Sequence, residues 1–208
     1  MCAGINMIKR IEYTLWLFAA MLLIYWAVVK TQVVFAQAEA VKRIDALIVA
    51  TELDTPDRSQ WSRHRIEEHS ALKGSLGAAE ALAILEIPIF DLRVAVFNGT
   101  SDEVLNVGIG RIPGTAIVGE AGNLGLAGHR DGFFRPLKDI SIGDEIVVRH
   151  PGGVERYTVS DLLIVNPENV SVLAPTSAGR LTLVTCYPFY FVGDAPKRYI
   201  VVADNLTI

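Results

Sequence analysis

Three residues have side chains suited to acyl-transfer chemistry and stand where segments of strand character begin or end: His129, Cys186 and Arg198. A thiolate is a strong nucleophile, and a nearby imidazolium or guanidinium lowers the pKa of its thiol. An imidazole can hold a proton and return it to a leaving amine. A guanidinium stays charged and offers a planar fork of donors, suited to a developing oxyanion or to a substrate backbone. Taken singly, each has a plainer reading. By type alone Cys186 is a small buried side chain, and a lone strand histidine or arginine serves the scaffold. The chemistry requires that sequence-distant groups meet.

The surrounding elements are of the kind that bring such groups together. Arg180-Leu181-Thr182-Leu183-Val184-Thr185-Cys186-Tyr187-Pro188-Phe189 alternates apolar and polar residues, is rich in β-branched types and stops at a proline. That pattern predicts a strand with the cysteine at its end. His129 follows Gly125-Leu126-Ala127-Gly128, at the end of a glycine-spaced strand, and Arg198 opens the last strand, Lys197 to Val202. Lys197 is the local rival for the role of Arg198. Upstream, ALAILEIPIF and DLRVAVFNG read as two strands joined near Pro88, with Asn98-Gly99 as the turn ending the second. Thr100 or Ser101 caps a short helical piece, SDEVLNVGIG, with acids in its first turn. TAIVGEAG and NLGLAGHR read as short strands around a glycine-rich turn, and FFRPLKDI as a helical turn. SIGDEIVVRHPGGVERYTVSDLLIV is a hairpin turning at Pro151-Gly152-Gly153. Strands this short and this regularly punctuated predict an all-β fold, a closed antiparallel barrel whose strand ends converge on a rim.

The 208 residues support one ordinary domain and an extension. A net charge of −4, with no block of Lys or Arg, gives no electrostatic reason to invoke nucleic acid. Cys2 and Cys186 lie far apart and provide neither a disulfide framework nor metal-type spacing. From Ile11 to Val29 the chain is almost wholly apolar, and a helix of ~20 such residues spans a bilayer. Trp16, Tyr25 and Trp26 supply interfacial aromatics, and Lys9 and Arg10 ahead of the run, against Lys30 alone after it, give a small charge bias towards a cytoplasmic N-terminus. Residues 1–10 are therefore expected in the cytoplasm, 11–30 as a transmembrane anchor, and all that follows outside the cytoplasm. A cleaved signal peptide ending near Ala36-Gln37-Ala38 competes with this reading, but signal cores run only about 7–15 residues. Residues 31–80 read as a partly helical stalk or linker. His64 and His69 within it lack helical metal-pair spacing and a third ligand, so they read as part of a solvated face. Residues 81–208 form the folded domain.

AGHRDGFFRPLKDISIGDEIVV, then LTLVTCYPF, then KRYIVV resemble the sortases, membrane-anchored cysteine transpeptidases of bacterial cell surfaces. The likeness runs from about Leu82 to the C-terminus, and order, spacing and flanks agree together: His in a G-H-R context, Thr-x-x-Thr-Cys on a strand, Arg before an apolar strand. The CYPF flank and the loop FYFVGDAP resemble the class D and Gram-negative-type sortases more than class A or B. The resemblance implies a closed eight-stranded sortase-type β-barrel with short helices, preceded by an N-terminal transmembrane helix. It implies that His129 is the acid/base, Cys186 the acyl-thioester nucleophile and Arg198 the oxyanion- or substrate-orienting group. Thr185 and Asp131 are further candidates: Thr185 donates to substrate or simply suits the strand, and Asp131 orients His129 or caps the FFRPL turn.

The implied partners are a surface protein with a C-terminal LPxTG-like sorting signal, an amine acceptor of the cell envelope, and the lipid bilayer. The implied location is the cytoplasmic membrane. No cofactor is implied. Some sortases bind calcium through acidic loops, but here Glu120 and Glu168 stand alone, too few for a hard-cation site. Two other readings compete. One is a cysteine peptidase that only hydrolyses, although papain-like folds place Cys before His along the chain and here His comes first. The other is a non-enzymatic, membrane-tethered barrel that binds surface partners through a buried, inert Cys186.

Overall fold

The computed structural model describes residues 56–72, 81–191 and 193–205, together with Trp16 and residues 21–24. The chain divides into two units, Met1–Ile44 and Asp45–Ile208. In the first, the described residues are helical and exposed. The rest of the expected anchor lies outside the described residues, among which no helix is long and apolar enough to cross a membrane.

The second unit opens with α1 (Arg63–Leu72). Ser62 caps it, its Oγ accepting from the Arg65 amide at 3.2 Å. Ala83–Ile87 (β1) and Leu92–Asn98 (β2) then pair antiparallel across a 3-10 turn at Pro88–Phe90. Proline suits the start of that turn, where its missing N–H has no partner to lose. Gly99, at φ +90°, takes the left-handed bend that ends β2. Of the two predicted caps, Ser101 is the one used: its Oγ accepts from the Val104 amide at 3.4 Å and starts α2 (Asp102–Val107).

Ile109–Arg111 (β3) and Asn123–Ala127 (β4) follow, then the hairpin of Glu145–His150 (β5) and Gly153–Val165 (β6). Arg180–Tyr187 (β7) and Lys197–Asn205 (β8) complete the set. These eight strands close into a barrel in the order β1-β2-β3-β4-β7-β8-β6-β5. The predicted closed barrel is present, but it is not antiparallel throughout: β2 with β3 and β4 with β7 are parallel pairs. The segment TAIVGEAG is not a strand. Gly119 and Gly122 take positive φ there, and the chain turns back so that the Ala116 amide meets the Asn123 carbonyl at 3.0 Å.

Alternate residues of each strand fill the barrel. Leu85, Ile87, Val96, Ile109, Leu126 and Leu183 are all fully buried in one continuous core. On β7 the inward row is Leu181, Leu183 and Thr185, which puts Thr182, Val184 and Cys186 on the outer face. Phe134, Leu137 and Ile140, in and around the 3-10 helix Arg135–Asp139, join the same core.

The helix α1 lies against the segment that follows β4. Arg65 Nε pairs with Asp131 at 3.3 Å, and the Trp61 ring meets the edge of Phe133 at 4.7 Å between centroids. His69, expected on a solvated face, is only 5% exposed, and its Nδ1 donates to the Asn106 carbonyl at 2.8 Å. The Trp61 and Phe133 rings cover it, which local polarity around residue 69 does not announce.

Candidate active site

The parallel pairing of β4 with β7 runs from Asn123 opposite Arg180 to Ala127 opposite Val184. Two residues beyond that pairing stand Cys186, still within β7, and His129, past the end of β4. On the other side of β7, the antiparallel register sets Cys186 directly opposite Arg198 of β8. Directly opposed residues share a face, with Cβ atoms about 4.5–5.5 Å apart. Cys186 and Arg198 thus form a cross-strand row, and His129, two residues past the last paired residue of β4, follows at the same end of the sheet. Lys197 pairs with Tyr187 instead, one step out of phase, and its Nζ donates to Asn166 Oδ1 at 2.7 Å. The register places Arg198, not Lys197, beside the thiol.

Short hydrogen bonds lock the ends of β4 and β7 together just before the row. The Gly128 amide donates to the Val184 carbonyl at 3.2 Å, and Thr185 Oγ1 donates to the Gly128 carbonyl at 2.7 Å. Thr185 is 2% exposed, so its hydroxyl is committed to the barrel wall. Gly128 is there for closeness: a Cβ on it would lie 2.7 Å from the Phe134 ring.

His129 Nε2 is buried without a hydrogen-bond partner. Burial, and after it the Arg65 guanidinium, hold the imidazole pKa below its ordinary value, while Asp131, Asp102 and Glu68 pull weakly the other way. The resting ring is accordingly biased towards the neutral, proton-accepting form. Asp131 does not engage it. Asp131 Oδ2 accepts from Ser62 Oγ at 2.9 Å and Oδ1 from Arg65 Nε at 3.3 Å. Burial alone would raise the pKa of that carboxyl, but Arg65, Ser62 and its own backbone amide outweigh it and hold it below the usual range. Asp131 ties the histidine's turn to α1.

Arg198 Nη1 donates to the carbonyls of Ala195 and Lys197 at 3.2 and 3.0 Å. Its Nε and Nη2 have no partner among the described residues and remain for another acceptor. Glu120 and Glu168 are exposed, and the described residues hold no group of three or more His, Cys, Asp or Glu placed to share a metal. Two residues that reach the site were passed over in the sequence. Arg65 comes from a helix 66 positions before Asp131, with no local signal. Arg130 is printed inside the G-H-R motif itself.

A free thiol and a partly engaged guanidinium in one cross-strand pair, with a buried imidazole of lowered pKa at the same end of the barrel, can support nucleophilic acyl chemistry. Those features define a class of barrel with a cysteine, histidine and arginine at the ends of adjacent strands. Residues 85–206 match the family described as Sortase domain, and the chain belongs to the sortase family. It is similar to Sortase D of Bacillus subtilis, 33% identical over 129 residues, which cover 62% of this chain and 65% of that one. The match thus spans less than two-thirds of that relative's length. Among solved structures, a Clostridium perfringens Sortase D5 transpeptidase is 26% identical with a TM-score of 0.57, covering 71% of this chain and 90% of that one. Sortase E1 of Streptomyces coelicolor, solved with a tripeptide in the active site, is 31% identical with a TM-score of 0.55, covering 62% and 89%.

Proposed function

We propose that this chain is a membrane-anchored cysteine transpeptidase acting on cell-surface proteins. The observation that carries the reading is the row itself: Cys186 opposite Arg198 across β7 and β8, with His129 two steps past the parallel pairing of β4 and β7. Similarity to a sortase described as a transpeptidase supports the same chemistry.

In this reading His129 accepts the Cys186 proton, and the thiolate sulfur bonds to the threonine carbonyl carbon of an LPxTG-like sorting signal. Arg198 donates to the oxyanion as the carbonyl π bond opens. Collapse breaks the Thr–Gly bond, and His129 returns its proton to the departing glycine amine. An acyl-thioester on Cys186 remains. An amine of the cell envelope then attacks that thioester, losing a proton to His129, and the thiol is regenerated as the new amide forms. Residues 11–30 anchor the chain in the cytoplasmic membrane with its N-terminus inside, so the barrel works outside the cytoplasm, close to other membrane-held proteins.

The test is Cys186→Ala against an LPxTG-like peptide. The wild-type chain gains the acyl mass in intact-protein mass spectrometry and releases the glycine fragment. The variant does neither, and its fold persists because the swap removes only a sulfur. Thioester or cleavage in the variant overturns the assignment. Adding a candidate amine separates transfer from hydrolysis, a ligated product replacing the free acid.

A further inference from the structure

Between Cys186 and Arg198 the chain leaves β7 at Tyr187 and returns at Lys197. Among the described residues this connection makes one backbone–backbone hydrogen bond of its own, Phe191 amide to Pro188 carbonyl at 3.4 Å. Its carbonyls are taken up instead by arginine side chains. Arg130 Nη1 donates to Pro188 at 3.1 Å, and Arg130 Nη2 donates to Phe191 and Gly193, each at 2.9 Å. Arg135 Nη1 donates to Phe189, and its guanidinium lies 4.1 Å over the Tyr190 ring. Arg198 Nη1 takes the Ala195 carbonyl. A planar fork reaching three carbonyls suits arginine, and a compact ammonium serves it poorly.

The position of Arg130 gives this a further meaning. Gly128, on one side of His129, is bonded to Val184 and Thr185, the two residues before Cys186. Arg130, on the other side, is bonded to Pro188, two residues after Cys186. The imidazole itself has no bond at Nε2 to hold it. We propose that Arg130 is a positioning residue, one arm of a bracket that holds the turn carrying His129 against the Cys186 end of β7 by gripping the β7–β8 connection. Its other arm is the Gly128 pair of bonds. The proposal rests on the reading of Cys186 as nucleophile and His129 as its base.

Arg135 supplies the contrast. It grips the same connection but sits six residues beyond His129, so losing it loosens the loop without releasing the histidine's neighbour. The test uses the full chain carrying R130A, R130K or R135A. Two rates are followed well below each variant's melting point: single-turnover acylation by an LPxTG-like peptide, and iodoacetamide alkylation of Cys186 against pH, read on the peptide that carries it. R130A is expected to acylate at least about tenfold more slowly in single turnover and to displace the alkylation–pH profile, because the turn carrying His129 is released from the Cys186 end of β7. R130K recovers part of both losses. R135A keeps the wild-type profile and acylates within about threefold of wild type, since its bond lies outside the bracket.

The proposal fails if the R130A profile superimposes on wild type, if R135A reproduces it, or if R130K is indistinguishable from wild type. Alkylation needs no sorting signal. A displaced profile in R130A alongside a wild-type chain that forms no acyl-enzyme therefore refutes the proposed reaction and leaves the bracket standing.

Discussion

Thr185→Val isolates what the hydroxyl beside the nucleophile does. The two side chains have nearly the same shape, so the change removes one O–H donor and little else. In the structure that donor is 2.7 Å from the Gly128 carbonyl, Thr185 is 2% exposed, and Gly128 is buried as well. A buried carbonyl left unsatisfied costs about 1–3 kcal/mol. For a folded unit of roughly 150 residues each kcal/mol lowers Tm by about 2–4 °C, so the expected drop is about 2–12 °C. Thr185→Ser is the matched control: it keeps the donor and loses one methyl, worth about 0.8 kcal/mol. Urea unfolding followed by circular dichroism ranks wild type, then Ser, then Val. If the hydroxyl instead served the substrate, Val would match wild type in stability and fail only in acylation. A Val variant as stable as wild type, or more stable than Ser, refutes the wall-lock reasoning.

Two further outcomes follow from the same corner. Gly128→Ala drives a methyl to 2.7 Å from the Phe134 ring, which is fully buried and has nowhere to retreat; overpacking of this kind costs about 1–3 kcal/mol, and an unchanged thermal midpoint would show that the turn yields freely. The second concerns His129, whose folded pKa is depressed by burial and Arg65. Above the unfolded value of about 6.5 neither state binds the proton, so the contribution to stability is fully present; as pH falls the unfolded chain protonates first, and the contribution is lost through the lower folded pKa. His129→Gln removes that proton linkage, so wild-type stability minus variant stability should shrink between about pH 7.5 and pH 5 in urea titrations. A difference that stays level across that range contradicts the neutral, buried imidazole.

The parts of the fold that were legible in the sequence are those whose signal is local. The β5–β6 hairpin declares itself through alternation on both arms and the turn at Pro151-Gly152-Gly153, and β7 through its alternating β-branched run. β3 does not. It is only Ile109–Arg111, and it exists because β2 and β4 offer backbone partners on both edges, a fact its own residues cannot carry. TAIVGEAG errs the other way: its Ile and Val suit a strand, but Gly119 and Gly122 at positive φ fold it into a turn. Strand direction is also silent, since a period of two looks the same in parallel and antiparallel pairs. That silence matters here, because the parallel β4–β7 pair sets the end of β4, just before His129, beside the end of β7 that carries Cys186.

The site divides along the same line. Residue types and motif order singled out His129, Cys186 and Arg198, because each carries distinct chemistry in its side chain. The residues that hold them in place bind mostly through backbone. Arg130 grips the carbonyls of Pro188, Phe191 and Gly193, and Thr185 the carbonyl of Gly128. A C=O group is identical in every residue, so the accepting end of such a bond leaves no trace in the sequence. Asp131 shows the reverse case. A carboxylate two residues from a histidine invites pairing with it, yet Arg65 and Ser62, from the capped start of α1, take both oxygens. Sequence proximity left two partners open, the histidine and the FFRPL turn; the helix docked alongside supplied donors, a guanidinium and a hydroxyl already in place.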